Sequence, residues 1–325
     1  MGTLGIGLVG AGKHGLRYAR HLEEVDGARL VAICRRDRRA GEEAAAAHGC
    51  AYHADWRALV EDPRVEAIVT VVPPVLNVDI VEAVCRAAKP MLIEKPLATT
   101  LAGARRIAEA IDAARVPAMV AQTLRYDATV AAVRVHAAAI EPLHALTLVQ
   151  RFEPSPLPWL DRAAESGGGI VLHTGVHSID LLRVLSGREV TEVSCVTTRV
   201  LTRETEDNFT LLARLGAGGP LAQIAGSRAL GARTGLIELA GAGGHILADH
   251  VHREAWTVRG AERTPLAIPA AVPTVREALR AFVAGVRDGT PMPITIDDGV
   301  RAIAVVDACY RSAARGGAPE RVEAS

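Results

Sequence analysis

The 325-residue chain carries no excess of charge: 37 Lys and Arg residues balance 37 Asp and Glu. No basic stripe or acidic tail therefore points to nucleic acid or to an anionic membrane surface. Cysteine is scarce, with Cys34, Cys50, Cys85, Cys195 and Cys309 scattered, odd in number and without paired spacing. That excludes a disulfide framework and a cysteine-based metal site, and it suits reduced thiols in a cytoplasmic protein. No apolar run approaches the length of a membrane span. No charged leader precedes the first apolar segment, so no signal peptide is expected. Internal repeats and low-complexity linkers are missing as well. What is present is ordinary for a globular protein: 49% hydrophobic and 23% charged residues, in a length that suits about two domains.

The most specific stretch opens the chain. Ile6, Leu8 and Val9 form a short apolar run, and Gly10, Gly12 and Gly15 follow in G-x-G-x-x-G spacing. Leu16, Ala19 and Leu22 then recur at helical intervals. Strand, glycine turn and helix in this order form a dinucleotide-binding fingerprint. The first glycine permits the tight turn, the second lets backbone approach a pyrophosphate, and the third lets helix pack on strand. The helix amino terminus then offers N–H groups and a positive dipole end to phosphate.

Residues 1–122 continue as alternating strands (29–34, 67–72, 91–93, 118–121) and helices (38–48, 77–88, 102–114). This alternation predicts a Rossmann-type, doubly wound parallel sheet, with ligands bound beyond the carboxyl ends of its strands. Both the glycine turn and Glu94-Lys95-Pro96 fall there. Residues 123–325 read differently. Strands at 143–152, 190–200, 209–215, 221–227, 236–239 and 246–249 have few helices between them, which predicts an α/β domain with an open, mostly antiparallel sheet. Helices near 175–185 and 275–287 are expected to pack on that sheet, and 298–314 to form one more, which packs back on the first domain in one arrangement. A sheet covered on one face only favours a homodimer or homotetramer built through the other.

In NAD-binding folds an acidic residue about 20 positions past the glycines bonds the ribose hydroxyl. Here the second strand ends Cys34-Arg35-Arg36-Asp37, with Arg35 in the acidic place. An arginine fork matches phosphate, so NADP(H) is expected, with Arg35 or Arg36 on the 2′-phosphate. The alternative is NAD(H), with Asp37 on the ribose and the arginines in solvent; Asp37 is also placed to cap the next helix. The expected coenzyme contacts are Gly10, Gly12, Lys13, His14, Gly15, Arg35, Arg36, Pro73, Glu94 and Lys95.

Four motifs in order now resemble the Gfo/Idh/MocA oxidoreductases, the family of glucose–fructose oxidoreductase and inositol dehydrogenase. They are the glycine fingerprint; Glu94-Lys95-Pro96-Leu97; Gln122-Thr123-Leu124-Arg125-Tyr126-Asp127; and Ser166-Gly167-Gly168-Gly169 followed by Gly175-Val176-His177-Ser178-Ile179-Asp180. The resemblance implies hydride transfer between a nicotinamide and an oxygen-bearing carbon, often in a sugar or polyol. It implies catalytic roles for Lys95 and His177 and a cis peptide before Pro96. Chemistry fits those roles. A histidine can take the hydroxyl proton, and an ammonium eases a developing alkoxide or donates a proton in reverse.

The chain departs from the family in two places. His173 stands four residues before His177, where an aspartate is common, and Asn77 stands where members often have histidine. Aspartate would orient His177 and stabilise its imidazolium; a neutral histidine offers a hydrogen bond without charge. His173 is therefore a third candidate catalytic residue, with Lys95 taking a larger share of the proton transfer. His173, His177 and Asp180 share a helical face, but the glutamate of H-E-x-x-H is missing and no metal is expected. Candidate substrate contacts are Arg125, Tyr126, Trp159, His173, His177 and Asp180. Trp159 either stacks on a sugar ring or covers an apolar edge, and Glu206-Asp207-Asn208 either meets substrate hydroxyls or forms a turn. Two other functions share these motifs: an enzyme that uses tightly bound NAD transiently, as lyases or glycosidases do, and a non-catalytic coenzyme-binding regulator.

Overall fold

The computed structural model describes residues 2–323 and divides them into two units. In the first, β1 (Leu4–Val9), α1 (Gly15–Leu22), β2 (Ala28–Cys34), α2 (Arg38–Ala47), β3 (Ala51–His53), α3 (Trp56–Glu61), β4 (Ala67–Thr70), α4 (Asn77–Arg86), β5 (Met91–Glu94), α5 (Leu101–Ala114) and β6 (Ala118–Ala121) alternate. All six strands are parallel, in the order β3-β2-β1-β4-β5-β6. Chain direction across the sheet reverses between β1 and β4, the crevice where open α/β sheets bind ligands. Ile6, Leu8, Ile68, Val69, Leu92 and Ile93 are fully buried, as helices on both faces require. Local signals start the helices. Asp37 caps α2 by accepting from the Ala40 amide, Asp55 accepts from Arg57 at α3, and Thr100 accepts from Gly103 at α5.

The second unit holds α6 (Ala128–Ala137), β7 (Leu143–Arg151), α7 (Ala163–Ser166), α8 (Val176–Ser186), β8 (Val190–Thr198), β9 (Asn208–Leu215), β10 (Leu221–Ser227), β11 (Thr234–Gly241), β12 (Gly244–Asp249), β13 (Glu254–Arg259) and β14 (Glu262–Pro265). The chain then adds α9 (Thr274–Asp288), α10 (Ile296–Ala314) and β15 (Glu320–Arg321). The sheet has nine strands in the order β14-β13-β12-β11-β7-β10-β9-β8-β15, antiparallel except for the β7–β10 pair. Strand alternation separates its faces. In β9, Phe209, Leu211, Ala213 and Leu215 are buried, while Thr210, Leu212 and Arg214 are exposed.

Two expectations need correction. Six strands were foreseen in this sheet; β13, β14 and β15 are short or weakly apolar and carry little periodic signal. Helix α9 does not pack on this sheet. Pro273–Val300 belongs to the first unit, where Val275, Ala278, Leu279, Phe282 and Val283 of α9 are buried at helical spacing beside α1 and β6. Amphipathicity reveals that a helix has a buried face, not which partner covers it. The division drawn at 122/123 thus runs instead after Thr123, and the first unit takes back a later segment.

Phe282 has no exposed surface. Phe282→Ala is expected to lower stability by about 3–5 kcal/mol in a urea melt. A loss below about 1 kcal/mol would rule out this packing of α9.

Candidate active site

The glycine turn at the end of β1 divides three roles among three glycines. Gly10 has φ +98°, and a Cβ there would lie 2.2 Å from the Val71 carbonyl oxygen. A Cβ on Gly15 would lie 1.9 Å from the Gly10 carbonyl oxygen, so α1 can start only with glycine. A Cβ on Gly12 would meet nothing within 4 Å. Gly12 therefore faces open space, and the chain's own packing does not require a glycine there. The amides of Gly10 and Ala11 both donate to the Cys34 carbonyl at 3.0 Å, tying the turn to the end of β2. Arg35 follows there, and its Nη1 donates to the Ala11 carbonyl at 3.1 Å. Arg36 is exposed. At the carboxyl ends of β4 and β6, Thr70 Oγ1 and both amide atoms of Gln122 are buried without a partner among the described residues. Buried polar groups left in this state call for a ligand or water. The turn, the arginine and these groups fit a dinucleotide.

Lys95 follows β5, half-buried, and its peptide bond to Pro96 is cis. Two interactions hold this turn. Asn77 Nδ2 donates to the carbonyls of Pro96 at 3.2 Å and Leu97 at 3.0 Å. Glu94, only 9% exposed, accepts from the Tyr18 hydroxyl of α1, and His14 Nε2 lies 3.4 Å from its other oxygen. Burial acts to raise the Glu94 carboxyl, but the His14 imidazole, the Lys95 ammonium and the Tyr18 hydroxyl hold it below the ordinary carboxylate value. The glycine turn and the lysine turn are thus joined through one buried carboxylate. Pro73 leads a short helical turn, Pro74–Leu76, beyond β4.

In the second unit, a π-helical turn, Val171–Gly175, leads directly into α8. It carries His173, 7% exposed, while half-buried His177 lies in the first turn of α8. His173 Nε2 lies 3.0 Å from the Ser166 carbonyl, which only accepts, so Nε2 carries a proton. Trp159 meets the His173 ring edge-on, with centroids 5.4 Å apart. Arg125 and Asp180, expected as substrate contacts, form a two-point ion pair at 2.7 and 2.5 Å, with Arg183 3.9 Å from the same carboxylate. Half-buried Tyr126 follows Arg125 in a short helical turn, Thr123–Tyr126. Among the described residues no cluster of His, Cys, Asp or Glu could hold a metal ion.

Tyr18 and Tyr310, which sequence reasoning passed over, support these segments, as does Glu206, which the sequence left open between a substrate contact and a turn. Tyr18 reads as one more apolar position of α1. Glu206 and Tyr310 lie far from the histidines in the chain, and glycines 168 and 169 are the sequence trace of their packing. A Cβ on Gly168 would lie 2.1 Å from the Tyr310 hydroxyl, and one on Gly169 2.0 Å from the Glu206 carbonyl oxygen.

The family model for an oxidoreductase family with an NAD-binding Rossmann fold matches residues 4–122, and that for the GFO/IDH/MocA C-terminal domain matches 141–247. The chain belongs to the Gfo/Idh/MocA oxidoreductases. Its relatives in that family include the myo-inositol 2-dehydrogenase of Thermotoga maritima, 29% identical over 94% of this chain and 95% of that protein. The inositol 2-dehydrogenase 2 of Saccharopolyspora erythraea is 30% identical over 97% and 94%. GenD2 from gentamicin A biosynthesis, solved in complex with NAD, superposes with a TM-score of 0.89 at 26% identity over 100% and 97%. Like its family, the chain is an NAD(P)-dependent oxidoreductase. No helix among the described residues is long and apolar enough to cross a membrane.

An ionised Glu94 below its ordinary value contributes stability that is complete above the unfolded value of 4.5 and is lost as pH falls through the folded one. The stability advantage of the wild type over Glu94→Gln should therefore be constant above about pH 5 and shrink below it. Chemical denaturation across pH measures this; an advantage undiminished at about pH 3 would exclude the ionised carboxylate as its source.

Proposed function

We propose that this oxidoreductase moves hydride to or from the hydroxyl- or carbonyl-bearing carbon of a sugar, cyclitol or similar polyol, with NADP(H) as the preferred coenzyme. The observation that carries the proposal is Lys95 at the carboxyl edge of the parallel sheet, with buried Glu94 linking its turn to the glycine turn. The two inositol dehydrogenases, matched over nearly their whole length, support the substrate class. When bound, the nicotinamide supplies the hydride acceptor or donor. The chain's own residues handle the proton. His177 takes it from the substrate hydroxyl, and the Lys95 ammonium stabilises the developing alkoxide or returns a proton in the reverse direction. His173, with Nε2 held on Ser166, brings no negative charge to His177, so more of the proton transfer falls to Lys95. Tyr126 and Trp159 are the proposed substrate contacts, and the Arg125–Asp180 pair steadies the start of α8.

Arg35 supports NADP(H). One of its five N–H donors is used on Ala11, which seats the guanidinium beside the glycine turn and leaves a fork suited to phosphate. Asp37 caps α2, which supports the same choice.

Fluorescence titration of coenzyme-stripped protein should show NADPH bound at least about tenfold tighter than NADH, a preference that Arg35→Ala removes. A screen of polyols beginning with myo-inositol should then show turnover that Lys95→Ala lowers about 10²–10⁴-fold. Tighter NADH binding would overturn the coenzyme choice alone. Coenzyme that co-purifies without net turnover would favour its transient use, and binding without any turnover a regulator.

The open sheet face supports assembly as a homodimer or homotetramer. Val196, Leu212, Leu221 and Leu236 are 52%, 58%, 57% and 45% exposed on it. Leu212→Glu should shift the sedimentation mass toward a single chain; an unchanged oligomer would place the contact elsewhere.

A further inference from the structure

Three consecutive amides open the segment that carries both histidines, and Glu206 satisfies all of them. Its carboxylate accepts from Gly169 at 3.0 and 3.1 Å and from Val171 at 3.0 Å, while its own carbonyl accepts from Ile170 at 2.8 Å. These are N–H groups that a helix start leaves without intrahelical partners. The Tyr310 hydroxyl of α10 donates to the same carboxylate at 2.9 Å, and Arg228 donates to Thr174 Oγ1 of the π-turn at 2.6 Å. Burial disfavours charge on Glu206 and on Arg228, and the carboxylate supports the guanidinium electrostatically. The glycines are fitted to this arrangement: any side chain at 168 or 169 would displace Tyr310 or Glu206.

The same contacts reach the His173 ring. Ser166, whose carbonyl accepts a hydrogen bond from Nε2–H, sits immediately before the glycine run, so Glu206 and Tyr310 fix one end of that hydrogen bond and the π-turn fixes the other. Neighbouring side chains lock the surrounding segments. Asp161 accepts from the amides of Arg203, Glu204 and Thr205, and Glu204 accepts from Ala163. Trp159, beside His173, is thereby held from the same stretch of chain.

We propose that Glu206, braced by Tyr310, is a positioning residue of the oxidoreductase: it sets the turn that presents His173 and His177 and holds His173 in its Nε2–H form. Its importance for turnover rests on the proposed roles of those histidines, but its geometry can be tested without a substrate. The test is imidazole ¹⁵N spectroscopy on full-length protein, with thermal melting and NADPH titration as checks on folding. Wild type should show His173 as a single Nε2–H tautomer. Glu206→Ala should give a mixture of tautomers, whereas Glu206→Gln, which keeps an acceptor oxygen, should restore the wild-type pattern. A purely structural role would lower the melting temperature of the Ala variant and leave the tautomer unchanged, and that result would overturn the proposal. If Glu206→Ala does not fold, Tyr310→Phe decides: a partial shift toward the mixture supports the proposal and an unaltered pattern overturns it. With myo-inositol as probe, turnover of Glu206→Ala should fall about 100-fold, as expected for slight misplacement of a reacting group, with NADPH affinity unchanged. A wild type inactive on myo-inositol would remove only the turnover readout, since the tautomer pattern is independent of it.

Discussion

A backbone carbonyl occupies the place where residue 15 would carry a side chain. With Gly10 at positive φ and its oxygen 1.9 Å from a Cβ on Gly15, β1 can hand over to α1 only through glycine. Much of the first unit depends on that close approach. It seats α1 so that Tyr18 reaches Glu94, and it places the turn where Cys34 can accept two of its amides and Arg35 can lie across it. The sheet order then puts the reversal of chain direction beside this turn, between β1 and β4. Ligand binding at that point follows from how a doubly wound sheet must be connected.

A carboxylate drawn back from solvent organises each unit in the same way, Glu94 buried and Glu206 half-buried. Glu94 gathers Tyr18 and His14 behind the lysine turn, and Glu206 gathers Tyr310 and the opening amides of the histidine segment. Each is withdrawn from water and retained because its lone pairs are met by directed donors. The balance differs between them. Donors and cations hold Glu94 below its ordinary value, whereas burial wins at Glu206 and raises it. Family membership sets the broad chemistry, and His173 and Asn77 secure the segments that carry the candidate residues. Asn77 ties down the turn after Lys95 through two carbonyls, and His173 is tied to Ser166.

Much was legible in the amino-acid order because it depends on near neighbours. The glycine spacing, the alternation of strand and helix to residue 122, and the cap at Asp37 all act within a few residues. Six strands of the second sheet, β7 to β12, were legible through their period of two. Strands β13, β14 and β15 were not, since a strand without an alternating apolar face owes its pairing to its neighbour. Helix α9 announced its buried face, yet its docking beside α1 and β6 depends on contacts more than a hundred residues apart.

By itself, the sequence determined the glycine turn and the fold class, because local sterics and hydrogen bonding specify them, while Lys95 and His177 stood out through resemblance to the family's motifs. Only the tertiary structure decided what surrounds those residues. Tyr18 and His14 meet Glu94, Asn77 meets the Pro96 and Leu97 carbonyls, and Tyr310 and Glu206 fill the space that glycines 168 and 169 leave open. These partners lie up to 142 positions apart, as Gly168 and Tyr310 do, and no local pattern links them. Packing and the need to satisfy buried polar atoms bring them together, and both act across the folded chain.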